Sequence, residues 1–273
     1  MRQIAILLSG LAFQALSASA QEASDTPEEV VVPQAESDEV LVSNRPGFSN
    51  VTEVIPKGRV ELNTGFGLSE VEDTDVESYG QILVRVGVGG PWELRLGLNS
   101  WVRVDGPDGR SDGFEDPTLG VKVGLADGRA ATGFGKPETS LILQSTIPVG
   151  DELIGADDPQ PTAILLLAWN LSPRVHLDNN IAYTYRSLDD DGGEYSEMAA
   201  TLAFSIGLGG PWGTYLEYAG FFPLESEISD SHFLFAAFTY LVNRKTAVDF
   251  GGGYGMNGLS PDYFVSAGLA YRW

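Results

Sequence analysis

The chain has 273 residues, 33 glycines, no cysteine and a formal charge of −22, with hydrophobic residues at 43% and aromatics at 10%. The missing cysteines exclude a disulfide framework and the usual cysteine-containing zinc sets, and the negative charge repels nucleic-acid phosphates. Beyond the first residues no run of about 20 apolar side chains occurs, so if this chain crosses a membrane it does so with strands.

At the start, Arg2 precedes an apolar run from Ile4 to Leu16, and Ala18-Ser19-Ala20 before Gln21 has the small-residue spacing of a signal-peptidase site. Residues 1–20 therefore read as a cleaved signal peptide and the mature protein as exported, an uncleaved anchor being the alternative. Residues 21–43 carry Glu22, Asp25, Glu28, Glu29, Glu36, Asp38 and Glu39 without a single Lys or Arg. Too little apolar surface is present to order them, which predicts a disordered, flexible acidic segment in the periplasm. A plug entering a pore is the other role open to it.

Residues 44–273 read as the barrel domain. After Pro56-Lys57-Gly58 the period changes to two: Val60, Leu62, Thr64, Phe66 and Leu68 alternate with Arg59, Glu61, Asn63, Gly65 and Gly67, the pattern of a half-buried strand. Similar segments recur near 78–88, 92–104, 116–125, 138–149, 161–171, 174–186, 196–208, 212–222, 231–242, 246–257 and 262–273. The fold class predicted is all-β, a transmembrane antiparallel barrel of about twelve strands. In the last strand Tyr263, Val265, Ala267, Leu269, Tyr271 and Trp273 share one face, as a strand that seals the barrel and anchors at an interface requires.

The connections alternate in kind. Those at 89–91, 171–173, 209–211 and 243–245 are short, whereas 68–78, 105–115, 150–160, 187–195 and 223–230 are long and acidic. Short turns belong in the periplasm and long loops outside. The connection 126–137 is too long for the short series. Val88-Gly89-Gly90-Pro91-Trp92 returns as Leu208-Gly209-Gly210-Pro211-Trp212, each time at a predicted periplasmic hairpin.

The stretch Ser43-Asn-Arg-Pro-Gly-Phe-Ser-Asn-Val-Thr-Glu-Val-Ile-Pro-Lys-Gly-Arg-Val-Glu-Leu-Asn-Thr-Gly-Phe66 resembles the opening of an outer-membrane protein family named for a meta-pathway of phenol degradation. Trp92–Gly97, Glu115–Lys122, Ile147–Gly150 and Trp169–Tyr183 fit the same resemblance. It implies a barrel and a passage for small, including aromatic, molecules. Gly47 and Asn63 stand where that family more often has acidic residues, so no ligand role is carried to those positions.

Alternation turns Gln81, Arg85, Glu93, Arg95 and Asn99 into the lumen and sets Arg85 opposite Arg95. Like charges across a ladder persist only with counter-charges or a bound anion, and Glu61, Glu93 and Arg272 lie at the same corner. His176, Asp178, Glu217 and Asp249 face inward across the barrel. Arg85, Arg95, Glu61, Glu93, Asp178, Glu217 and Asp249 are thus the candidate solute or ion pathway, basic on one wall and acidic on the other; a salt-bridged filling is the alternative. His176 with Asp178, and Ser229 and Ser231 with His232, lack a third partner in nucleophile geometry, so no catalytic residue, metal site or cofactor is expected. The acidic outer loops supply oxygens that weakly held divalent cations could bridge to lipopolysaccharide, or form a solvated rim.

The function expected is an outer-membrane, porin-like channel for passive passage of small solutes, aromatic or other small organic compounds, in a Gram-negative envelope. The alternative is a structural or surface-interaction protein with a closed lumen; a soluble periplasmic β-sandwich is a third reading. Expected partners are outer-membrane lipid, lipopolysaccharide, the small solute, and barrel-assembly machinery during insertion. No oligomeric state follows from the sequence.

Overall fold

A computed structural model describes residues 40–107, 109–128, 132–188, 193–225, 228–257 and 260–273; the expected signal peptide and all but the last four residues of the expected acidic segment lie outside them. In chain order the strands are β1 Val60–Val71, β2 Thr74–Gly89, β3 Trp92–Gly106, β4 Gly109–Phe114, β5 Thr118–Ala126, β6 Glu138–Thr146, β7 Thr162–Ser172, β8 Val175–Leu188, β9 Gly193–Gly209, β10 Trp212–Pro223, β11 Ser231–Asn243, β12 Thr246–Gly255 and β13 Tyr263–Arg272. Each pairs antiparallel with its neighbour, β3 pairs with β5 below β4, and β13 returns to β1 with Glu61 opposite Arg272 and Glu70 opposite Tyr263. Twelve strands close a barrel, and β4 is an extra strand paired to β3 alone.

Closure satisfies the strand edges of the twelve-stranded wall, which a lipid environment demands, and leaves only β4 with an unpaired edge among the described strands. The two faces alternate as the period predicts: Leu94, Leu96 and Leu98 are exposed on the outside, while Glu93 and Arg95 between them are buried inside. Trp92, Trp212 and Trp273 gather on the outer surface at the short-turn end. Trp212 packs edge-on against Tyr240 at 4.6 Å, and Tyr271 stacks on Trp273 at 5.4 Å, an aromatic girdle at one interface. The Gly-Gly-Pro-Trp echo is also structural, since Gly89 and Gly90 have φ of 112° and 56° and Gly209 and Gly210 have 109° and 56°. Only glycine adopts two consecutive positive φ values of this kind without steric cost.

Three of the connections read as long acidic loops are instead hairpins that continue the wall. β1 and β2 run on to a two-residue turn at Glu72-Asp73, β3 and β4 pair from Trp101 opposite Phe114 to Gly106 opposite Gly109, and β8 and β9 pair as far as Leu188 and Gly193. The reason is that alternation persists beneath the charges. Val76 and Val102 are buried inside and pack with Val104 and Ile154, while Asp75 is exposed and Glu77 pairs with Arg103 at 2.7 Å.

The wall is interrupted at Glu115-Asp116-Pro117 between β4 and β5. Here the Asp116 carboxylate accepts the N–H groups of Val149 at 3.0 Å, Gly150 at 2.7 Å and Ala156 at 2.8 Å, tying the β6–β7 loop over the free edge of β4. The long 126–137 connection also finds a physical account. Its described part folds back along β7, with Gly133 N–H donating to Asn170 O at 2.8 Å and the Trp169 indole donating to Gly135 O at 3.1 Å.

Candidate functional site

Residues 40–59 form no strand, although most of them fall in the expected barrel domain. They run through the lumen. Leu41 N–H donates to Arg244 O in the β11–β12 turn at 2.9 Å, which fixes the entry at the short-turn end. The chain climbs to Phe48, whose ring meets Phe221, Phe233 and Phe264 at 5.4–6.1 Å near the other ends of β10, β11 and β13. It then descends to Gly58, which donates to Gly87 O at 2.9 Å, and enters β1.

A backbone buried this way must find partners for its polar groups. The lumen side chains supply them. The Glu217 carboxylate accepts the N–H groups of Phe48 and Ser49, each at 2.7 Å, and the Ser49 hydroxyl at 2.5 Å. Asn180 acts as a substitute strand, accepting Asn50 N–H at 2.6 Å and donating to Asn50 O at 3.0 Å. Lys122 donates to the carbonyls of Val51 at 3.0 Å and Glu53 at 2.6 Å, and the Ser140 hydroxyl donates to Thr52 O at 2.7 Å. Ile55 N–H reaches Glu93 at 3.0 Å.

Arg85 and Arg95 are opposite each other, as the alternation predicts, and Glu61 is opposite Arg85. Arg85 lies 2.8 Å from Glu61 and 2.9 Å from Glu93, and also donates to Glu53 O at 2.7 Å. Arg95 lies 3.0 Å from Glu93 and donates to the Asn50 side chain at 2.7 Å. Lys122 stands 3.4 Å from Glu93, and Arg272 pairs with Glu61 at 2.7 Å and Glu53 at 2.9 Å. Arg85, Glu61, Glu93 and Lys122 are fully buried. Three carboxylates thus face four cations, in one network spanning β13, β1, β2, β3, β5 and the lumen segment.

Across the barrel Asp249 holds Arg45, with Nε donating at 3.1 Å, and Asp178 lies 3.4 Å from His176, whose other ring nitrogen meets Asn170 at 2.8 Å. Five of the seven candidate residues, Arg85, Arg95, Glu93, Glu217 and Asp249, therefore contact the lumen segment directly. Glu61 acts through Arg85 and Arg272, and Asp178 faces a cavity.

Among the described residues, cavities lie on either side of the segment. One, of about 560 Å³, opens toward the short-turn end and is bounded by Glu138, His176, Asp178 and Asp249. The other, of about 180 Å³, lies beyond the segment, between Phe48, Phe235 and Phe264 on one side and Gln81, Ser100 and Glu115 on the other. Arg45 and Pro46 border both.

Sequence reasoning missed the segment and its partners Asn180, Lys122 and Ser140. The signal was present. Residues 43–58 lack period two and carry Pro46, Gly47 and Pro56, so they cannot be a wall strand, yet they also lack the acidity of the residues before them. The apolar lining was missed as well: on β7, Ile164 and Leu166 face inward and are fully buried, because part of the lumen is packed rather than wet.

The profile of the family described as "Putative MetA-pathway of phenol degradation" matches residues 43–273. No curated protein matches the chain. Among solved structures, an outer membrane channel from Pseudomonas putida F1 superposes with a TM-score of 0.65 at 10% identity, covering 81% of this chain and 98% of that one. The CymD monoaromatic hydrocarbon channel gives 0.46 at 10% identity over 80% and 88% of the two chains. The translocator domain of autotransporter NalP from Neisseria meningitidis gives 0.47 at 10% identity over 79% and 88%. At 10% identity the likeness to the Pseudomonas putida channel is one of fold.

Proposed function

Since the chain belongs to the phenol-degradation MetA-pathway family, we propose that it is an outer-membrane channel through which small solutes pass passively. The observation that carries this reading is a closed barrel, apolar outside, whose lumen keeps two polar-edged cavities separated by one segment of chain. Three phenylalanine rings beside amide, hydroxyl and carboxylate groups in the smaller cavity suit a compact organic solute carrying one ring and a polar substituent.

The roles of the candidate residues divide. Arg85, Arg95, Glu61, Glu93 and Glu217 hold the lumen segment, and their burial supports an anchoring role. Asp178 and Asp249 border the larger cavity and lie on the solute path. The partners are outer-membrane lipid, lipopolysaccharide at the outer rim, the solute, and the barrel-assembly machinery on insertion. Residues 1–20 serve as the cleaved export signal and the acidic residues after them, as far as Glu39, stay in the periplasm, whereas residues 40–43 of the expected segment enter the lumen.

One observation favours the alternative of a closed-lumen surface protein, namely the segment itself. Planar-bilayer conductance decides between them. Discrete openings support the channel, and a barrel that inserts yet never conducts supports the closed form.

A further inference from the structure

Gly65 of β1 lies directly opposite Gly268 of β13, and both face the lumen. The Arg45 guanidinium lies in the slot they leave. A methyl group added at Gly65 would sit 2.4 Å from Arg45 Nη1, and one at Gly268 would sit 2.0 Å from Nε. Along the same wall Gly67 and Ser266, which border the outer cavity, are also small, so the inward faces of β13 and β1 are low from the outer cavity down to Arg45, with buried Asn63 opposite Ala270 below it. Arg45 is the side chain standing in this track. Its charge is met by Asp249 at 3.1–3.3 Å, and Nη1 donates to Gln81 at 2.8 Å.

We propose that solutes cross along this β13–β1 track and that Arg45 is the gate and selecting residue, opened by a swing of its side chain while the rest of the lumen segment stays docked. The inference rests on the channel reading. Between residues 48 and 55 the backbone is bound by Glu217, Asn180, Lys122, Ser140, Arg85 and Glu93, all buried. Expelling the segment strands every one of those groups at once, each at the full desolvation cost. Swinging Arg45 breaks its contacts to Asp249 and Gln81, and the guanidinium remains beside two cavities that admit water. The side-chain route is by far the lower barrier. It also selects: a solute that offers an acceptor oxygen replaces the contacts Arg45 gives up, whereas a small cation meets a fixed positive charge.

The test separates segment from side chain. The chain has no cysteine, and the Ser49 and Thr201 hydroxyls are 2.6 Å apart, so Ser49→Cys with Thr201→Cys gives a disulfide that locks the segment to β9. Purified full-length barrels are compared in planar bilayers under a potassium chloride gradient. The oxidised, locked barrel is expected to keep the conductance of the same double variant in its reduced form. Arg45→Ala in the locked barrel should raise conductance several-fold and move the reversal potential toward cations, because Asp249 is left uncompensated. Adding Gly268→Leu refills the slot and should return conductance to or below the wild-type level, which guards against a gain that merely reflects misfolding. Loss of conductance on locking, restored by reduction, overturns the proposal in favour of segment movement. A locked barrel indifferent to Arg45→Ala also overturns it. If neither wild type nor any variant conducts, the channel reading itself fails, and the gate falls with it.

Discussion

Replacing Glu93 by Gln should destabilise the barrel more than any other single change in the lumen network. Glu93 accepts from Arg85 at 2.9 and 3.0 Å, from Arg95 at 3.0 Å and from Ile55 N–H at 3.0 Å, with Lys122 at 3.4 Å. It is fully buried, so water cannot replace what is lost. Removing one partner of a buried ion pair costs about 3–5 kcal/mol, which corresponds to roughly two to four powers of ten in the folding equilibrium. The direction of charge matters too. Glu53, Glu61 and Glu93 already face four cations, so Glu93→Gln leaves two carboxylates against four, whereas Arg85→Gln leaves three against three. Glu93→Gln should therefore cost more than Arg85→Gln, although the two positions are equally buried. Urea unfolding in detergent micelles, followed by tryptophan emission, measures both. A loss under about 1 kcal/mol for Glu93→Gln is the range of an exposed pair and would refute the reasoning, as would a larger loss for Arg85→Gln.

Other outcomes follow from the same geometry. Deleting Tyr271 to Trp273 removes the two bonds between Trp273 and Val60, at 3.0 and 3.2 Å, and the Arg272 pairs with Glu61 and Glu53; assembly into the membrane should fail, while deletion of Glu22 to Glu39 should leave barrel levels unchanged on immunoblots of membrane fractions. A cysteine at Asp73, in the β1–β2 turn, should react with an impermeant maleimide on intact cells, whereas one at Lys245 should not, and labelling at 245 alone inverts the topology. Glu217→Ala strands the N–H groups of Phe48 and Ser49, at about 1.5–3 kcal/mol for each bond to the charge. Limited proteolysis of the purified barrel should then cut within residues 40–58 faster while leaving the strands intact; equal rates count against Glu217 as an anchor.

The wall was legible in the sequence because a two-residue period is a local signal. Leu94, Leu96 and Leu98 against Glu93, Arg95 and Asn99 state which face is which without knowledge of any neighbour, and the Arg85–Arg95 register follows from one short turn. The upper hairpins were misread because charge was taken as the mark of a loop. Asp75 and Glu77 sit on the outward face of strands whose inward face still alternates through Val76 and Val102. The lumen segment could be read as not being a wall strand, from Pro46, Gly47 and Pro56, but its place in the lumen could not. Its order comes from contacts distant in sequence, such as Ile55 to Glu93, 38 residues away, and Glu53 to Arg272, 219 residues away, and no local pattern encodes them. The inward charges were found correctly, yet whether such charges meet water or a returning stretch of chain depends on that distant pairing.

Liposome swelling tests the central claim most directly. Vesicles carrying the purified full-length barrel should swell in arabinose at a rate above that of protein-free vesicles and more slowly in raffinose, because Arg45 and Pro46 stand between the two cavities and narrow the path. Swelling with neither sugar, in a barrel shown by heat-modified mobility to be folded, would contradict the account and leave a closed surface protein in its place.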